Sequence, residues 1–259
     1  MRAVRSNAWR RSATFRCYEE LNDFLPPARR KQSFELEFDG TPAVKDLVEA
    51  AGVPHTEVDL ILVDGESVGF DHRLRGGERV AVYPKFERFD ISPVTRLRPR
   101  PLREPRFVLD VHLAKLARYL RLLGLDAVCN ERAADADIVA CSAAEERIIL
   151  TRDRGLLKRS DVTHGYWVRN VDPRRQLLEV VTALDLGESL APFTRCMVCN
   201  GLLETVDEER VRTTLPPALR GRFETISRCR QCDRLYWPGS HHARLVKLVD
   251  EVVAGARRP

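Results

Sequence analysis

Polar and apolar residues alternate along Ala13–Tyr18 and again along Ser33–Phe38, where Phe34, Leu36 and Phe38 share one face. A period of two belongs to a strand with one buried side, so both stretches are predicted strands. Asp39-Gly40 supplies a turn. Thr41-Pro42 predicts a helix start, with Thr41 as N-cap and Pro42 as first helical residue, and Val44, Leu47 and Val48 form its apolar stripe. Leu60–Val63 reads as a strand, Asp64-Gly65 as a turn, and Arg79–Tyr83 as a last strand after Gly76-Gly77. Two strands, a helix and further strands make a β-grasp order.

From Arg106 the pattern changes. Phe107-Val108-Leu109 is a short strand ending at Asp110, and a helix follows with Leu113, Leu116, Ala117, Leu120 and Leu123 at helical spacing, stopped by Gly124. A strand begins at Asp126, a helix runs from Asp135 to Glu146, and a third strand, Arg147–Leu150, ends in Thr151-Arg152-Asp153. Tyr166–Val168 is a fourth strand and Pro173–Leu184 another helix. Alternating strands and helices imply a parallel sheet covered on both faces.

Sites in such sheets form beyond the carboxyl ends of the strands. Asp110 and Asp153 each lie just past an apolar strand, and Asp137 lies near the start of the intervening helix, with Asp135 as a substitute. Carboxylates meeting there would hold Mg²⁺ or Mn²⁺, hard cations that take oxygen ligands, and the ion would activate a water beside a phosphate. Each acid also has a simpler reading: Asp110 as a helix N-cap, Asp153 as a turn residue before Gly155, Asp137 as a favourable charge at a helix N-terminus.

Composition sharpens this picture. At 259 residues the chain exceeds one ordinary domain. Its longest apolar runs are far short of the ~20 residues that span a bilayer, so no membrane segment is expected. Met1 to Arg16 is basic, without an acid, and lacks the apolar core of a secretory signal. The net charge of +5 permits nucleic-acid binding without requiring it. Between Ser92 and Arg106, Pro93, Pro99, Pro101 and Pro105 alternate with Arg96, Arg98, Arg100, Arg103 and Arg106, the composition of a stiff linker. Lys115, Arg118 and Arg121 recur at about one-turn spacing on the first helix, and Arg152 and Arg154 flank Asp153. These residues are either a solvated face or contacts to an RNA backbone.

There are seven cysteines, four of them in the pairs Cys196-Met197-Val198-Cys199 and Cys229-Arg230-Gln231-Cys232. Each C-x-x-C turn brings two thiolates to one ion, and two turns complete a closed tetrahedral Cys₄ site, the structural zinc of a ribbon. This usage fits a reducing compartment better than a disulfide framework, so a cytoplasmic location is expected. His241 and His242 are spare candidates. Tyr236-Trp237 is either ribbon core or a platform for unpaired bases. Cys129 and Cys141 read as small buried hydrophobes.

Two resemblances add to this. Residues up to Phe89 resemble the ubiquitin-like sulfur-carrier family, although Arg73-Leu74-Arg75-Gly76-Gly77 runs on into Glu78-Arg79-Val80 and so lacks a free terminal glycine for carrier chemistry. Phe107–Asp110, Leu113–Gly124 and Ile149–Asp153 closely resemble the RNase domain at the C-terminus of the Mutator-seven exonuclease family. That resemblance implies a PIN-like fold with a zinc ribbon behind it, often with a ubiquitin-like domain in front, and an acidic metal site at Asp110, Asp137 and Asp153. A fourth acid is usual; Asp172 follows a strand but precedes Pro173, as a cap would.

The expected organisation is therefore a ubiquitin-like β-grasp domain at 12–90, a linker at 91–105, a PIN-like α/β RNase domain at 106–190 and a zinc ribbon at 191–245. The expected activity is metal-dependent hydrolysis of single-stranded RNA. Asp110 and Asp153 would bind Mg²⁺ or Mn²⁺, Asp137 would bind it or orient water, and Lys115, Arg118, Arg121 and Arg152 would hold RNA. Structural Zn²⁺ would sit on Cys196, Cys199, Cys229 and Cys232, and a protein partner would use the β-grasp domain. The alternative is a non-catalytic RNA- or ribosome-associated adaptor. A weaker third reading is a sulfur-transfer partner.

Overall fold

The computed structural model describes residues 11–84, 95–97, 105–130, 132–207 and 226–256, with Glu209, 213–215, Pro217, Arg220, Arg222 and Phe223 between the last two stretches. Most of the Arg/Pro stretch, including Arg98, Arg100 and Arg103, lies outside the described residues, as does the basic start up to Arg10. By Cα proximity the chain forms two compact units. One is Met1–Leu102 with Asp153–Tyr166, and the other is Arg103–Arg152 with Trp167–Pro259.

In the first unit, strands β1 (Arg11–Cys17) and β2 (Phe34–Phe38) precede helix α1 (Val44–Ala51), and β3 (Val58–Val63), β4 (Glu66–Ser67) and β5 (Arg79–Pro84) follow. Their sheet has the order β2-β1-β5-β3-β4, with β1 and β5 parallel and the other pairs antiparallel. Phe15, Val48, Ile61, Leu74 and Val82 fill the core. The sheet and helix are those of a ubiquitin-like domain, as the alternation predicts. Asp64 and Gly65 take positive φ (51° and 91°), the conformation a two-residue hairpin demands. Gly76 and Gly77 likewise (104° and 95°) turn the chain into β5, and the Glu78 carboxylate accepts hydrogen bonds from the Arg75 and Gly76 amides. The glycine pair is thus a turn.

The helix starts two residues later than Thr41-Pro42 suggests. Pro42 and Ala43 are held extended: the Pro42 carbonyl accepts from the Leu74 amide, and Ala43 bridges to Arg73. Asp46 caps instead, its Oδ2 accepting from the Ala43 amide at 3.3 Å.

The second sheet is built on β6 (Arg106–Leu109), β7 (Asp126–Cys129) and β8 (Ile148–Thr151), with helices α2 (Ala114–Leu122) and α3 (Asp135–Glu145) between them. A short helix α4 (Arg154–Leu157), strand β9 (Gly165–Trp167) and helix α5 (Pro173–Ala183) follow. The order is β7-β6-β8-β9, and β6 is parallel to both β7 and β8. A 3₁₀ turn, Val111–Leu113, separates Asp110 from α2. The chain closes with the antiparallel sheet β10 (Leu203–Val206), β11 (Ile226–Cys229) and β12 (Leu235–Tyr236), then helix α6 (His242–Ala256), which packs on α5. Neither α4 nor α6 was expected. The cysteine sheet is not set apart at 190/191: Ala191 and Phe193 donate to the carbonyls of Leu123 and Leu122 at the end of α2. Among the described residues no helix is long and apolar enough to cross a membrane.

Candidate functional site

The two C-x-x-C pairs meet at the edge of the β10-β11-β12 sheet. After each pair one residue takes positive φ, Asn200 at 71° and Asp233 at 58°, which folds the chain back over its own sulfurs. The Cys199 and Gln231 amides point at Cys196 Sγ (3.5 Å) and Cys229 Sγ (3.4 Å). A Cβ on Gly201 would come within 2.9 Å of Cys229 Sγ, so the close approach of the knuckles needs glycine there. All four sulfurs lie within 4.8 Å of one another, with Cys199–Cys229 at 3.3 Å and Cys196–Cys232 at 3.7 Å. That spacing is far beyond a disulfide and fits the edges of a thiolate tetrahedron with bonds of about 2.3 Å.

The thiols are not equivalent. Burial pushes Cys196 up, but the Cys199 amide, the Tyr236 hydroxyl at 3.0 Å and the Val198 amide outweigh it and bring the pKa to about 6. Burial and the neighbouring sulfurs push Cys199 up to about 12. Cys196 is therefore favoured as a thiolate at neutral pH, whereas Cys199 would ionise beside it only with the help of a bound cation.

The first knuckle is fastened to the parallel sheet. Arg121, on α2, donates from Nε to the Ala127 carbonyl (2.7 Å) and from one terminal nitrogen to those of Val198 (2.7 Å) and Met197 (3.2 Å). Only 6% of Arg121 is exposed, so it does not join Lys115 and Arg118 on a nucleic-acid face as its spacing suggested. Asp126, at the start of β7, accepts from Arg147 (2.6 Å) and Asn200 (2.8 Å) and pairs with Arg195 (3.4 Å). Burial raises the Asp126 pKa, but these partners outweigh it and hold it below the usual carboxylate range.

The aspartates are placed one by one. Asp110 leaves β6 as cap of the 3₁₀ turn, accepting from the His112 amide at 3.3 Å, while its other oxygen meets the buried Thr151 hydroxyl at 3.4 Å. Asp137 is exposed in the first turn of α3 and accepts from the Ala134 amide at 2.9 Å. Asp153 is exposed and caps α4 through the Gly155 amide at 2.7 Å. Asp172 caps α5 through the Arg174 and Arg175 amides. Among the described residues the cysteines are the group of three or more metal-type side chains drawn to one point; the aspartates form no such group. Lys115, Arg118 and Arg152 are exposed. Arg154 turns instead to Phe24 and the Asp23 carbonyl. Cys129 and Cys141 are half-buried rather than buried, with Cys129 Sγ 3.7 Å from the Asp110 carbonyl.

Two family models match. The Mut7-C RNAse domain covers residues 105–249, and the Mut7-C ubiquitin model covers 10–90. The chain belongs to the Mut7-C RNAse domain family. No curated protein and no solved structure gives a significant match. The Mut7-C match runs unbroken from β6 into α6, so it takes in both the parallel sheet and the cysteine sheet.

Several residues of this Mut7-C chain that bear on the site escape sequence reasoning. Asn200 reads as half of an Asn-Gly turn, yet its side chain joins the knuckle to β7, accepting from the Ala127 amide at 3.2 Å and donating to Asp126. Tyr236 reads as ribbon core but also touches Cys196. The Phe193 and His242 rings lie 5.2 Å apart, tilted by 34°, and, with Leu122, Met197, Tyr236 and Trp237, line a cleft of about 560 Å³.

Proposed function

We propose that this protein is a metal-dependent ribonuclease that hydrolyses phosphodiester bonds of single-stranded RNA. The observation that carries the reading is Asp110. It stands directly past β6 in an RNase-family domain, with its carboxylate against Thr151 at the carboxyl end of the parallel neighbour β8. Carboxylate oxygens at such an edge match the donors that Mg²⁺ or Mn²⁺ prefers. Asp110 and Asp153 would hold the ion, and Asp137 would hold it or orient the attacking water. When bound, the cation supplies a polarised phosphate and a more acidic water. Thr151 steadies the Asp110 carboxylate, and Lys115, Arg118 and Arg152 take the flanking phosphates. The four cysteines bind Zn²⁺ as a closed structural site, with no position left for substrate.

The free thiols argue for a reducing compartment such as the cytoplasm. The β-grasp domain offers a surface for a protein partner. Purified protein should cleave single-stranded RNA with Mn²⁺ or Mg²⁺ and stop in EDTA. Asp110→Asn and Asp153→Asn should each lower the rate by roughly 100-fold or more, as loss of a metal ligand does. Equal cleavage by either variant sinks the assignment.

A second reading has an observation of its own. Asp110, Asp137 and Asp153 each already serve as caps, which is a complete structural role. On that reading the protein is an RNA- or ribosome-associated adaptor. Its RNA affinity would fall steeply with salt, need no divalent ion, and persist without cleavage.

A further inference from the structure

The segment after Asp153 belongs to the same compact unit as the β-grasp domain, and a graded set of contacts fastens it there. Three residues four apart carry them. The Arg154 guanidinium lies over the Phe24 ring, 5.1 Å from its centroid, and reaches the Asp23 carbonyl at 3.3 Å. Lys158 Nζ donates to the Glu49 carbonyl in the last turn of α1 at 3.0 Å. The Val162 carbonyl accepts from His55 Nε2 at 2.7 Å. Between these, Leu156, Leu157 and Val162 are at most 2% exposed, so apolar burial accompanies the polar contacts.

His55 is built for this contact. It is 5% exposed, stands edge-on to Phe70 at 5.7 Å, and its Nδ1 meets Glu49 Oε1 at 2.6 Å. A carbonyl can only accept, so Nε2 must carry the proton that bonds to Val162; an ionised Glu49 also only accepts, so the second contact needs a further proton, on Nδ1 or on the carboxyl. Glu49 thus acts twice, its carboxylate orienting the imidazole and its main chain receiving Lys158. A buried ring held at both nitrogens has one orientation, and its loss leaves the Val162 carbonyl without this donor.

We propose that the β-grasp domain acts in cis as a positioning element of the ribonuclease: it grips residues 154–162 and thereby fixes Asp153, whose carboxylate caps the first turn of that same segment. The inference rests on the ribonuclease reading, in which Asp153 is a metal ligand. The ubiquitin-like fold here is used as a clamp on its own chain. His55, Glu49 and Lys158 are positioning residues, acting through the backbone that carries Asp153. An external partner of the domain would have to use another face, because the His55 face is already covered.

The test uses the full chain with inorganic Mn²⁺ as probe. Wild type, His55→Ala, His55→Gln and Lys158→Met are compared by hydrogen exchange over 154–162, by Mn²⁺ binding read from electron paramagnetic resonance, and by cleavage of single-stranded RNA against Mn²⁺ concentration. Lys158→Met leaves the β-grasp core untouched and so answers for any unfolding caused by His55→Ala. Both should speed exchange at 154–162, leave β6 and α2 unchanged, and weaken Mn²⁺ binding by roughly 10-fold, the scale set by residues that orient a metal ligand. His55→Gln keeps a donor toward Val162 and should restore much of the affinity.

Unchanged exchange at 154–162 in both variants overturns the clamp. Faster exchange with unchanged Mn²⁺ binding and an unchanged Mn²⁺ optimum overturns the positioning role. If wild type itself neither binds Mn²⁺ nor cleaves RNA, the ribonuclease reading falls first and the inference with it, an outcome separate from the other two.

Discussion

The cysteine cluster and the aspartates are two answers to the problem of collecting ligands. Four thiols from two knuckles close to within 4.8 Å, through turns that need Asn200, Asp233 and Gly201 at particular backbone angles or distances. Thiols can be neutral, so they crowd together without a large electrostatic cost. Carboxylates at neutral pH carry full like charges and resist crowding. Asp110, Asp137 and Asp153 instead occupy three helix starts, where backbone amides and helix dipoles already favour them. A soft structural site is thus legible in the protein geometry by itself. A hard catalytic site has to be argued from strand ends and family membership.

The largest effect is expected from breaking the cysteine side. Cys229→Ser should abolish tight zinc binding, because structural zinc supplies a large part of the folding free energy of a small ribbon. It should unfold β10, β11 and β12. The damage should not stop there, since Arg121 and Asp126 tie the first knuckle to β7. The parallel sheet should remain folded but lose stability. Hydrogen exchange in β7 and β10 would measure both; full protection in β10 without zinc would show that the cysteine sheet folds without the ion.

Asp126→Asn probes that tie directly. It removes the closer of two carboxylates from Arg147, whose side chain is 6% exposed, and leaves Glu145 as its remaining partner. A loss of about 2–3 kcal/mol is expected, the range for hydrogen bonds to a buried charge. The Asp126 pKa is depressed in the fold, so its contribution is present above the unfolded pKa of about 3.9 and fades as pH falls through the lower folded value. Thermal melts of wild type and variant should therefore differ at pH 7 and converge below about pH 4. A constant difference across that range would mean that charge is not the cause.

The smallest effects concern RNA. Arg118→Ala should weaken binding modestly and reduce the salt slope by about one phosphate contact. Arg121→Ala should act on stability and zinc retention, with the salt slope unchanged. Titrations of binding against salt separate the two, and identical slopes in both variants would return Arg121 to the nucleic-acid face.

The contrast between these arginines also marks what sequence can convey. Lys115, Arg118 and Arg121 recur every third residue, but a helix has 3.6 residues per turn, so each step rotates by about 60°. By Arg121 the stripe has turned into the buried side, where long-range carbonyls wait. Local signals were reliable: the alternation in β2, the Asp64-Gly65 hairpin and both C-x-x-C knuckles depend on neighbours only. The start of α1 was displaced because Pro42 and Ala43 bond to residues 30 or so positions away. The grip of His55 on Val162 spans 107 residues and no periodicity announces it. The candidate acids were legible as positions, while their simultaneous service as caps could be stated only as an alternative.

On the function proposed above, one chain carries two metal chemistries, a closed thiolate site and an open carboxylate site. The direct test is metal analysis of the full chain, first dialysed against a weak chelator and then titrated with Mn²⁺, for wild type and Asp110→Asn. One zinc per chain should be retained in both proteins, and a saturable Mn²⁺ site should be present in wild type and lost in the variant. Zinc near zero with all four thiols reactive in the native state, or the same Mn²⁺ binding in Asp110→Asn as in wild type, would contradict it.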